Sequence, residues 1–391
     1  MGLRGTNQEF GRPYNRRIVL EAIRRDAPTT RTRIAEQVGL TVQTVSTIIR
    51  ELEEQGFVLS GRDAPRGRGL PPSQLRIKPE GGYAIGLHIT PIGLDAALIN
   101  LSGDIVASRH RDAPAVTPDE AFTLIRQLVT ELRAARISGR MLGVGLALPG
   151  PFGVEAMSFV GPTTMTGWDN VPLSERLADA TGLPAVYENV VAAAALGEEL
   201  YGLGAGRNDY YYLFLGVGLG GALMHDGAPL RGAWGNAVEL GHIPLVPDGE
   251  LCPCGNRGCL ERYISLEAHA RRPAGMSDGQ WVDSIAPLFR SALITIENLF
   301  DPETIVLGGV APRALLENLA AAAEDLPISV SARRDRKSPR LVISAEGQQS
   351  VLRGAAALAV ADALSPRFGQ LFSPQRDRQN RPLLSHKGLA A

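Results

Sequence analysis

The stretch HIPLVPDGELCPCGNRGCLE, residues 242–261, contains every cysteine of the 391-residue chain. Cys252, Cys254 and Cys259 follow His242 within this short segment. Three thiols cannot all pair with one another, and a reducing compartment disfavours disulfides, so metal binding is the leading interpretation. One imidazole and three thiolates form the ligand set of closed, tetrahedral zinc sites. The sequence therefore predicts a structural zinc ion (Zn²⁺) at these residues, with three buried thiols beside an unrelated histidine as the alternative.

Length and composition restrict the class of protein. A chain of this length suits two to three domains. Its 44% hydrophobic and 21% charged residues are typical of a globular protein, and no apolar run approaches the ~20 residues of a membrane helix. The first residues, MGLRGTNQEFGRPYNRR, lack the apolar region of a secretory signal. We therefore expect a cytoplasmic protein without a membrane partner.

The charge of the chain is distributed unevenly. Residues 1–78 contain fourteen Lys and Arg against eight Asp and Glu, whereas the remaining residues contain 26 against 33. A basic segment of this size suits contact with phosphates, although solvated helical faces can carry as much charge. The hydrophobic pattern must decide between these interpretations.

That pattern favours a helix-turn-helix in the basic segment. NRRIVLEAIRRDAP predicts a first helix that Pro28 closes. TRTRIAEQVGLTVQTVSTIIRELEEQGFV predicts two further helices, separated by a turn at Gly39 and by a capping hydroxyl at Thr41. The last helix leaves four polar side chains opposite its buried stripe: Gln43, Thr44, Thr47 and Arg50. Such side chains contact base edges and phosphates in a major groove, whereas a solvated helical hairpin is the alternative.

The next segment, FVLSGRDAPRGRGLPPSQLRIKP, favours DNA binding. Two short β-like runs flank a basic Gly/Pro loop, which is the pattern of a wing. Arg66 and Arg68 are predicted to enter the adjacent minor groove, where narrow A·T tracts attract arginine. Residues 1–78 are therefore predicted to form a winged helix-turn-helix DNA-binding domain.

From residue 83 onward, apolar runs alternate with glycine turns and helices. YAIGLHITPIGLDAALINLSGDIVAS predicts two or three strands, and LPAVYENVVAAAALGEELYG predicts a strand that leads into an alanine-rich helix. The same cycle restarts at YYYLFLGVGLGGALMHDGAPL. We predict two α/β lobes that face a cleft, residues 82–195 and 196–365, followed by a disordered tail, residues 366–391.

Four stretches of the body resemble the successive signatures of the ROK family of repressors, open reading frames and sugar kinases: WDNVPLSERLADATGLPAVYEN, GLGGAL with GAWGNAVELGH, CPCGNRGCLERY, and LFDPETIVLGG. GTNQEFGRPYNRRIVLEAIRR is similar to the start of the family's repressor branch, which includes xylose- and N-acetylglucosamine-responsive repressors. The resemblance covers residues 5–362. It implies an actin-like, ribonuclease-H-like two-lobed ATPase fold behind the DNA-binding head. It also implies a homodimer or tetramer, because paired heads bind paired half-sites.

Three departures from the family's kinases concern the phosphate side of the site. HITPIG, residues 88–93, occupies the position of an acidic phosphate loop, with His88 in place of the acid and Pro91 in place of an N–H donor. Val217 replaces a threonine of the second phosphate turn, and Val190 replaces the aspartate that accepts the proton of the sugar hydroxyl. Loss of such a base costs about 10²–10⁴ in rate. The departures indicate a chain that is not an enzyme, unless a neighbouring acid substitutes for Val190.

The sugar side of the site is retained. In the family, the positions of Asn189, Glu239, His242 and Glu261 hydrogen-bond the hydroxyls of a hexose-like ring. A metal-bound histidine can contact sugar through its second ring nitrogen, so zinc would fix the tautomer and direction of His242. The retained positions predict a receptor for a sugar or sugar phosphate.

The sequence thus predicts a sugar-responsive transcriptional regulator of carbohydrate metabolism genes, most often a repressor in this family. The runner-up is an ATP-dependent sugar kinase, of the glucokinase or N-acetylglucosamine kinase type, with an appended DNA-binding domain. A third interpretation is a regulator that responds to a protein partner and has lost its sugar effector.

Overall fold

The computed structural model describes residues 11–61, 73–135, 138–150, 165, 167–168, 171–333, 335–345 and 347–366. Arg66, Arg68 and the predicted tail beyond residue 366 lie outside these residues, so their roles remain predictions. None of the described helices combines the length and the apolar character that crossing a bilayer requires.

The described part of the head contains three helices and two paired strands: α1 (Arg12–Asp26), α2 (Arg31–Val38), α3 (Val42–Glu54), β1 (Val58–Gly61) and β2 (Gln74–Ile77). β1 and β2 pair antiparallel. Gly39 ends α2 in the left-handed region at φ 67°, and Thr41 Oγ1 caps α3 by accepting the N–H of Thr44 at 3.1 Å. This arrangement confirms the predicted winged helix-turn-helix.

Among the residues that the structure describes, the body contains two five-stranded sheets. The first contains β3 (Gly82–Thr90), β4 (Gly93–Asn100), β5 (Ile105–Asp112), β6 (Arg140–Leu148) and β7 (Ala185–Asn189). The second contains β8 (Asp209–Leu215), β9 (Leu219–His225), β10 (Ala228–Pro229), β11 (Ile305–Gly309) and β12 (Leu341–Ile343). The strand order is β5-β4-β3-β6-β7 in the first sheet and β10-β9-β8-β11-β12 in the second, and the two sheets share one topology. In each sheet, neighbouring strands pair antiparallel up to the central strand and parallel beyond it. This repetition confirms the predicted actin-like α/β fold.

Helices cover both sheets and fill the space between them: α4 (Pro118–Arg133), α5 (Leu173–Thr181), α6 (Val190–Tyr201), α7 (Leu266–Ala270), α8 (Asp278–Phe300), α9 (Arg313–Ala322) and α10 (Ser350–Leu364). Buried residues of α6 and α10 form one core with β6 of the first sheet and with β8, β9 and β11 of the second. α6 runs without interruption across the predicted lobe boundary between residues 195 and 196. A single helix therefore belongs to both lobes.

The head packs directly on the first lobe. Ile49 of α3 and Val360 of α10 belong to one continuous core that also includes residues of β3 and β4. β2 leads through a short 3-10 turn, Pro79–Gly81, into β3. A Cβ at Gly81 would lie only 2.2 Å from the carbonyl oxygen of Gly56, so this turn is in backbone contact with the segment between α3 and β1. The head and the first lobe therefore meet in a packed joint.

Candidate functional site

The four predicted metal ligands come together in the second lobe. The ligand atoms of His242, Cys252, Cys254 and Cys259 all lie within 4.8 Å of one another. Cys252 Sγ is 3.6 Å from His242 Nδ1, and Cys254 Sγ is 3.6 Å from Cys259 Sγ. A tetrahedral ion with bonds of about 2.3 Å to sulfur separates two sulfurs by about 3.8 Å. The donor set and its spacing therefore fit a four-coordinate metal ion, and all three cysteines are free thiols.

Two glycines shape the loop around this cluster. Gly255 (φ 89°) and Gly258 (φ 75°) adopt the left-handed backbone conformation, which other residues rarely adopt. A Cβ at Gly258 would lie 1.7 Å from the carbonyl oxygen of Val246, which leaves room for glycine alone. The N–H of Cys252 donates to the carbonyl of Asn256 at 2.8 Å and closes the turn. The backbone thus directs the thiols toward a common point.

His242 joins the metal cluster to the predicted sugar site. It is the last residue of a 3-10 turn, Leu240–His242, that begins after Glu239, and residues three apart on such a turn lie on the same side. Because Nδ1 faces Cys252, Nε2 points away from the thiols. Glu239 is exposed, yet the surrounding atoms desolvate its carboxylate and raise its pKa; His242 opposes this shift and the charge of Glu261 adds to it. The charges of these three side chains therefore influence one another.

Glu261 also supports the turn between β8 and β9. Its Oε2 accepts the N–H of Leu219 at 2.9 Å, and a Cβ at Gly218 would lie 2.3 Å from the same oxygen. The N–H of Leu266 donates to the carbonyl of Gly216 at 2.8 Å on the other side of the turn. The loop that contains the three cysteines and the segment that follows it therefore hold the turn between β8 and β9 in place.

Asn189 lies on the first lobe, at the start of α6. Its Oδ1 accepts the N–H of Ala192 at 2.8 Å, and its Nδ2 donates to Glu188 Oε1 at 3.3 Å. An amide has two N–H groups and two oxygen lone pairs, so the contacts with described residues use half of its hydrogen-bonding capacity. The cap fixes the direction of the side chain before a ligand arrives.

An ion pair that the sequence analysis missed connects the two lobes at this point. Arg231 donates to Glu188 Oε2, and the side chains are 14% and 4% exposed. Glu188 lies near the end of β7, whereas Arg231 begins a loop that the N–H of Ala237 closes by donating to the carbonyl of Arg231 at 3.2 Å. This loop leads to Glu239. The two charges are 43 residues apart in the chain, and no motif marks them as partners.

The turn that corresponds to the kinase phosphate loop is closed on itself. Thr90 Oγ1 accepts the N–H of Ile92 at 3.3 Å and the N–H of Gly93 at 3.1 Å. Pro91 has no N–H to donate. The amides of this turn are therefore engaged within it and do not form a cradle for phosphate oxygens.

The other departures from the kinase pattern involve neutral side chains. Burial lowers the pKa of His88 to about 4, and the opposing effect of Asp95 across the strand pair is smaller. His88 is therefore uncharged at pH 7 and supplies no negative charge for Mg²⁺. Val190 is the first residue of α6, and Val217 is exposed in the turn between β8 and β9. Neither valine can accept a proton.

In the head, α3 presents a polar surface to solvent. It exposes the four predicted DNA contacts, Gln43, Thr44, Thr47 and Arg50. The hydroxyl of Thr47 donates to the carbonyl of Gln43 at 3.2 Å, and the hydroxyl of Thr44 lies 2.9 Å from that of Thr41. Val42, which the sequence analysis passed over, is 48% exposed at the start of α3. An apolar residue at this position suits contact with a thymine methyl group. Its place directly after the capping residue is the feature of the sequence that could have indicated this contact.

A winged helix-turn-helix packed on a two-lobed, actin-like fold defines a class of protein: DNA-binding regulators built on the fold of a sugar kinase. The chain belongs to the ROK family, whose model matches residues 84–362. A second model, described as winged helix-turn-helix DNA-binding, matches residues 13–58.

Several proteins resemble this chain over much of its length. The Xylose repressor of Caldicellulosiruptor bescii is 27% identical over 408 residues, which cover 92% of this chain and 98% of the repressor. The Glucokinase of Streptomyces coelicolor is 31% identical over 264 residues, which cover 58% of this chain and 82% of the kinase. The crystal structure of a ROK family transcriptional regulator, a homolog of the E. coli MLC protein, matches with a TM-score of 0.68 at 24% identity. That match covers 91% of this chain and 97% of the regulator, and it concerns the fold.

Proposed function

We propose that this chain is a sugar-responsive transcriptional repressor that binds operator DNA through its head and a sugar or sugar phosphate between its lobes. The Xylose repressor similarity over 92% of the chain supports this proposal, since it includes both the head and the body. The sugar binds to Asn189 on one lobe and to Glu239, His242 and Glu261 on the other. A ligand that contacts both lobes changes their relative position, and the packed joint passes this change to the head.

One observation carries the proposal. The turn Thr90–Gly93 directs its amides to Thr90 Oγ1, whereas a kinase needs such amides for phosphate. Phosphoryl transfer depends almost entirely on positioning and charge stabilisation, so a chain without this cradle binds sugar without phosphorylating it. Val190 also stands where a kinase has its proton-accepting aspartate. Glu188 is an acid two residues earlier, but its carboxylate is engaged with Arg231.

The head reads DNA with α3 in the major groove. Gln43 and Arg50 are the long polar side chains of the exposed face, and each suits bidentate contact with a purine. Thr44 and Thr47 contact the backbone phosphates, and Arg66 and Arg68 enter the minor groove. A homodimer or tetramer places two heads on a pseudo-palindromic site.

The metal in the Cys₃His cluster is zinc, held by His242, Cys252, Cys254 and Cys259. With four protein ligands it has a structural role, since no position remains for water. Zinc supplies a fixed anchor for the loop that ends at Glu261. The Nε2 of His242 is then held toward the sugar as a neutral hydrogen-bonding group.

A sugar kinase with an appended head is the second candidate, because the Streptomyces coelicolor Glucokinase is 31% identical over 58% of this chain. The two candidates differ in one measurable quantity. Kinases turn over at about 1–100 s⁻¹, whereas we expect this chain to show no sugar-dependent ATP turnover above background in a coupled assay.

The proposal is tested by measuring operator affinity in the presence of sugars. An operator is first selected from a random DNA pool by the zinc-loaded protein. Fluorescence anisotropy then follows its binding with a panel of pentoses, hexoses, N-acetylhexosamines and their phosphates. We expect one compound to change operator affinity at least about fivefold. A chain whose operator affinity is the same with every compound is not sugar-responsive, and sugar-dependent ATP turnover at kinase rates favours the second candidate.

A further inference from the structure

α6 lies between the predicted sugar site and the head. Its twelve residues, Val190–Tyr201, follow Asn189 directly and end at Gly202. A helix of this length spans about 18 Å. The residues Ala192–Glu199 are all buried, so the helix is enclosed by protein along most of its length.

The first turn of α6 is attached to the sugar site. Asn189 caps the helix through Ala192, and Glu188 joins the preceding strand to Arg231 of the second lobe. A sugar that binds Asn189 acts on the residue that holds the first turn of α6. A change in lobe closure reaches the same point through the ion pair.

α6 and α10 are in backbone contact and form one rigid layer. A Cβ at Gly354 of α10 would lie 2.1 Å from the carbonyl oxygen of Ala193, and a Cβ at Gly197 would lie 3.0 Å from the Cα of Gly354. Close-packed interiors transmit displacement because they have few voids to absorb it. A shift at the start of α6 therefore moves the whole layer.

The last turn of α6 is held by the head. Arg24 of α1 donates through Nη1 to the carbonyls of Glu199, at 3.3 Å, and Leu200, at 2.9 Å. The last carbonyls of a helix have no partner within it, and a positive charge there is also favoured by the helix dipole. Glu21 holds the guanidinium in place, with contacts of 2.9 Å to Nε and 2.6 Å to Nη2. Arg24 is therefore a charged link between the head and the end of α6.

Next to Arg24 the joint between the head and the first lobe opens to solvent. A cleft that is open to solvent lies between α1, α6 and α10. Its lining includes Leu20, Glu21, Arg24, Glu199, Leu200 and Leu364. A second contact across the joint is long: Arg17 Nη1 is 3.5 Å from the carbonyl of Ser365. The contacts of Arg24 with α6 are therefore shorter than the contact of Arg17 with Ser365 after α10.

A change in the angle of α1 moves α3, the helix that exposes the predicted DNA contacts. Ile18 and Ile23 of α1 share a buried core with Ile34 of α2 and with Ile48 and Ile49 of α3. The three helices therefore move as a unit.

We infer that α6 and Arg24 carry the sugar signal: the sugar binds at the start of α6, and Arg24 transfers the resulting displacement to α1 and the DNA-binding surface. This inference rests on the proposed sugar response. Arg24 is a positioning residue, since it contacts neither the sugar nor the operator. Its role is in the coupling between the two ligands rather than in the affinity for either.

The test compares Arg24→Met with Arg25→Met, which removes the next arginine of the same helix, about 100° around its axis. Four dissociation constants are measured for each protein: operator with and without the effector sugar by anisotropy, and sugar with and without operator by calorimetry. The wild-type chain is expected to show a coupling of about 5- to 150-fold. In Arg24→Met we expect the coupling to fall below about twofold, while each ligand alone binds within about fivefold of wild type. Arg25→Met is expected to keep the full coupling.

A third variant, Arg24→Lys, keeps the inference testable if Arg24→Met does not fold. Its ammonium can reach one carbonyl but lacks the planar fork that contacts two carbonyls and Glu21, so we expect intermediate coupling. If folded Arg24→Met or folded Arg24→Lys keeps the full coupling between sugar and operator binding, the inference is overturned and the proposed function remains intact. A wild-type chain that shows no sugar effect refutes the proposed function, and the inference with it.

Discussion

Arg231→Met is expected to destabilise the chain, because it leaves the carboxylate of Glu188 buried without its cationic partner. The side chain of Glu188 is only 4% exposed. Removal of one member of a buried ion pair costs about 3–5 kcal/mol, since the remaining charge stays out of water. The backbone N–H and the Nδ2 of Asn189 also donate to Glu188, at 2.9 and 3.3 Å, and offset part of this cost. We therefore expect a loss of about 3 kcal/mol in the free energy of unfolding.

A double-mutant cycle separates the ion pair from the other contacts of these side chains. Arg231→Met, Glu188→Gln and the double variant are unfolded in urea, and the change in midpoint is converted with the common slope. The double variant is expected to be about 1–2 kcal/mol more stable than Arg231→Met, because it no longer buries a charge. Arg313→Met is the control for an exposed ion pair: Arg313 and its partner Glu317 are 53% and 54% exposed. Arg313 also donates to the carbonyl of Ser344 at 2.9 Å, so the loss in this variant is an upper limit for the exposed pair. Loss of an exposed pair costs less than about 1 kcal/mol.

Two results would refute the reasoning. One is a loss in Arg231→Met no greater than that in Arg313→Met. The other is a double variant whose loss equals the sum of the two single losses, since additivity means that the two side chains do not interact.

Four further predictions follow from the site and the head. Removal of the metal with a chelator is expected to weaken sugar binding by about 10- to 100-fold, because the imidazole of His242 loses its orientation. Calorimetry on protein verified as metal-free measures this affinity, and an unchanged affinity would contradict the prediction. Gln43→Ala and Arg50→Ala are each expected to weaken operator binding by about 1–3 kcal/mol while leaving random DNA nearly unaffected; equal losses on both DNAs in anisotropy titrations would mean that α3 does not read bases. Val190→Asp is expected to show no sugar-dependent ATP turnover in a coupled assay, because Thr90 Oγ1 still occupies the amides of the turn; turnover at kinase rates would contradict the proposed loss of the phosphate cradle. The pKa of His88 is lowered to about 4 in the folded chain, which favours the neutral ring. The free energy of unfolding is therefore expected to fall as the pH drops from about 6.5 to about 4, and to be insensitive to His88 above about 6.5. His88→Asn should flatten the pH dependence of the urea midpoint between these values, and an unchanged slope would show that His88 does not cause this dependence.

The head was predictable from sequence because its signals are local. The hydroxyl at Thr41 caps the N–H of Thr44, three residues away. The left-handed turn at Gly39 needs a residue without a Cβ. The buried stripe of α3 repeats at helical spacing, so the opposite face was assigned without knowledge of its neighbours.

The Cys₃His cluster was also predictable, since its cysteines lie within one loop and three thiolates with one imidazole are a typical ligand set for zinc. Sequence did not give the direction of the histidine. That direction depends on the 3-10 turn after Glu239, which places Nδ1 of His242 toward Cys252. The role of Glu261 as an acceptor for Leu219, 42 residues away, also required the folded structure.

The sequence by itself determined the winged head, the repeated α/β lobes, the members of the Cys₃His cluster and the absence of an acid at Val190, because helix caps, strand alternation and residue chemistry act over a few neighbouring residues. Only the tertiary structure decided that Thr90 closes its own turn, that Arg231 joins Glu188 and that Arg24 holds the end of α6. Arg24 and Glu199 are 175 residues apart in the chain. Contacts over such separations depend on strand register and on the packing of α6 against α10, and no short stretch of sequence encodes either.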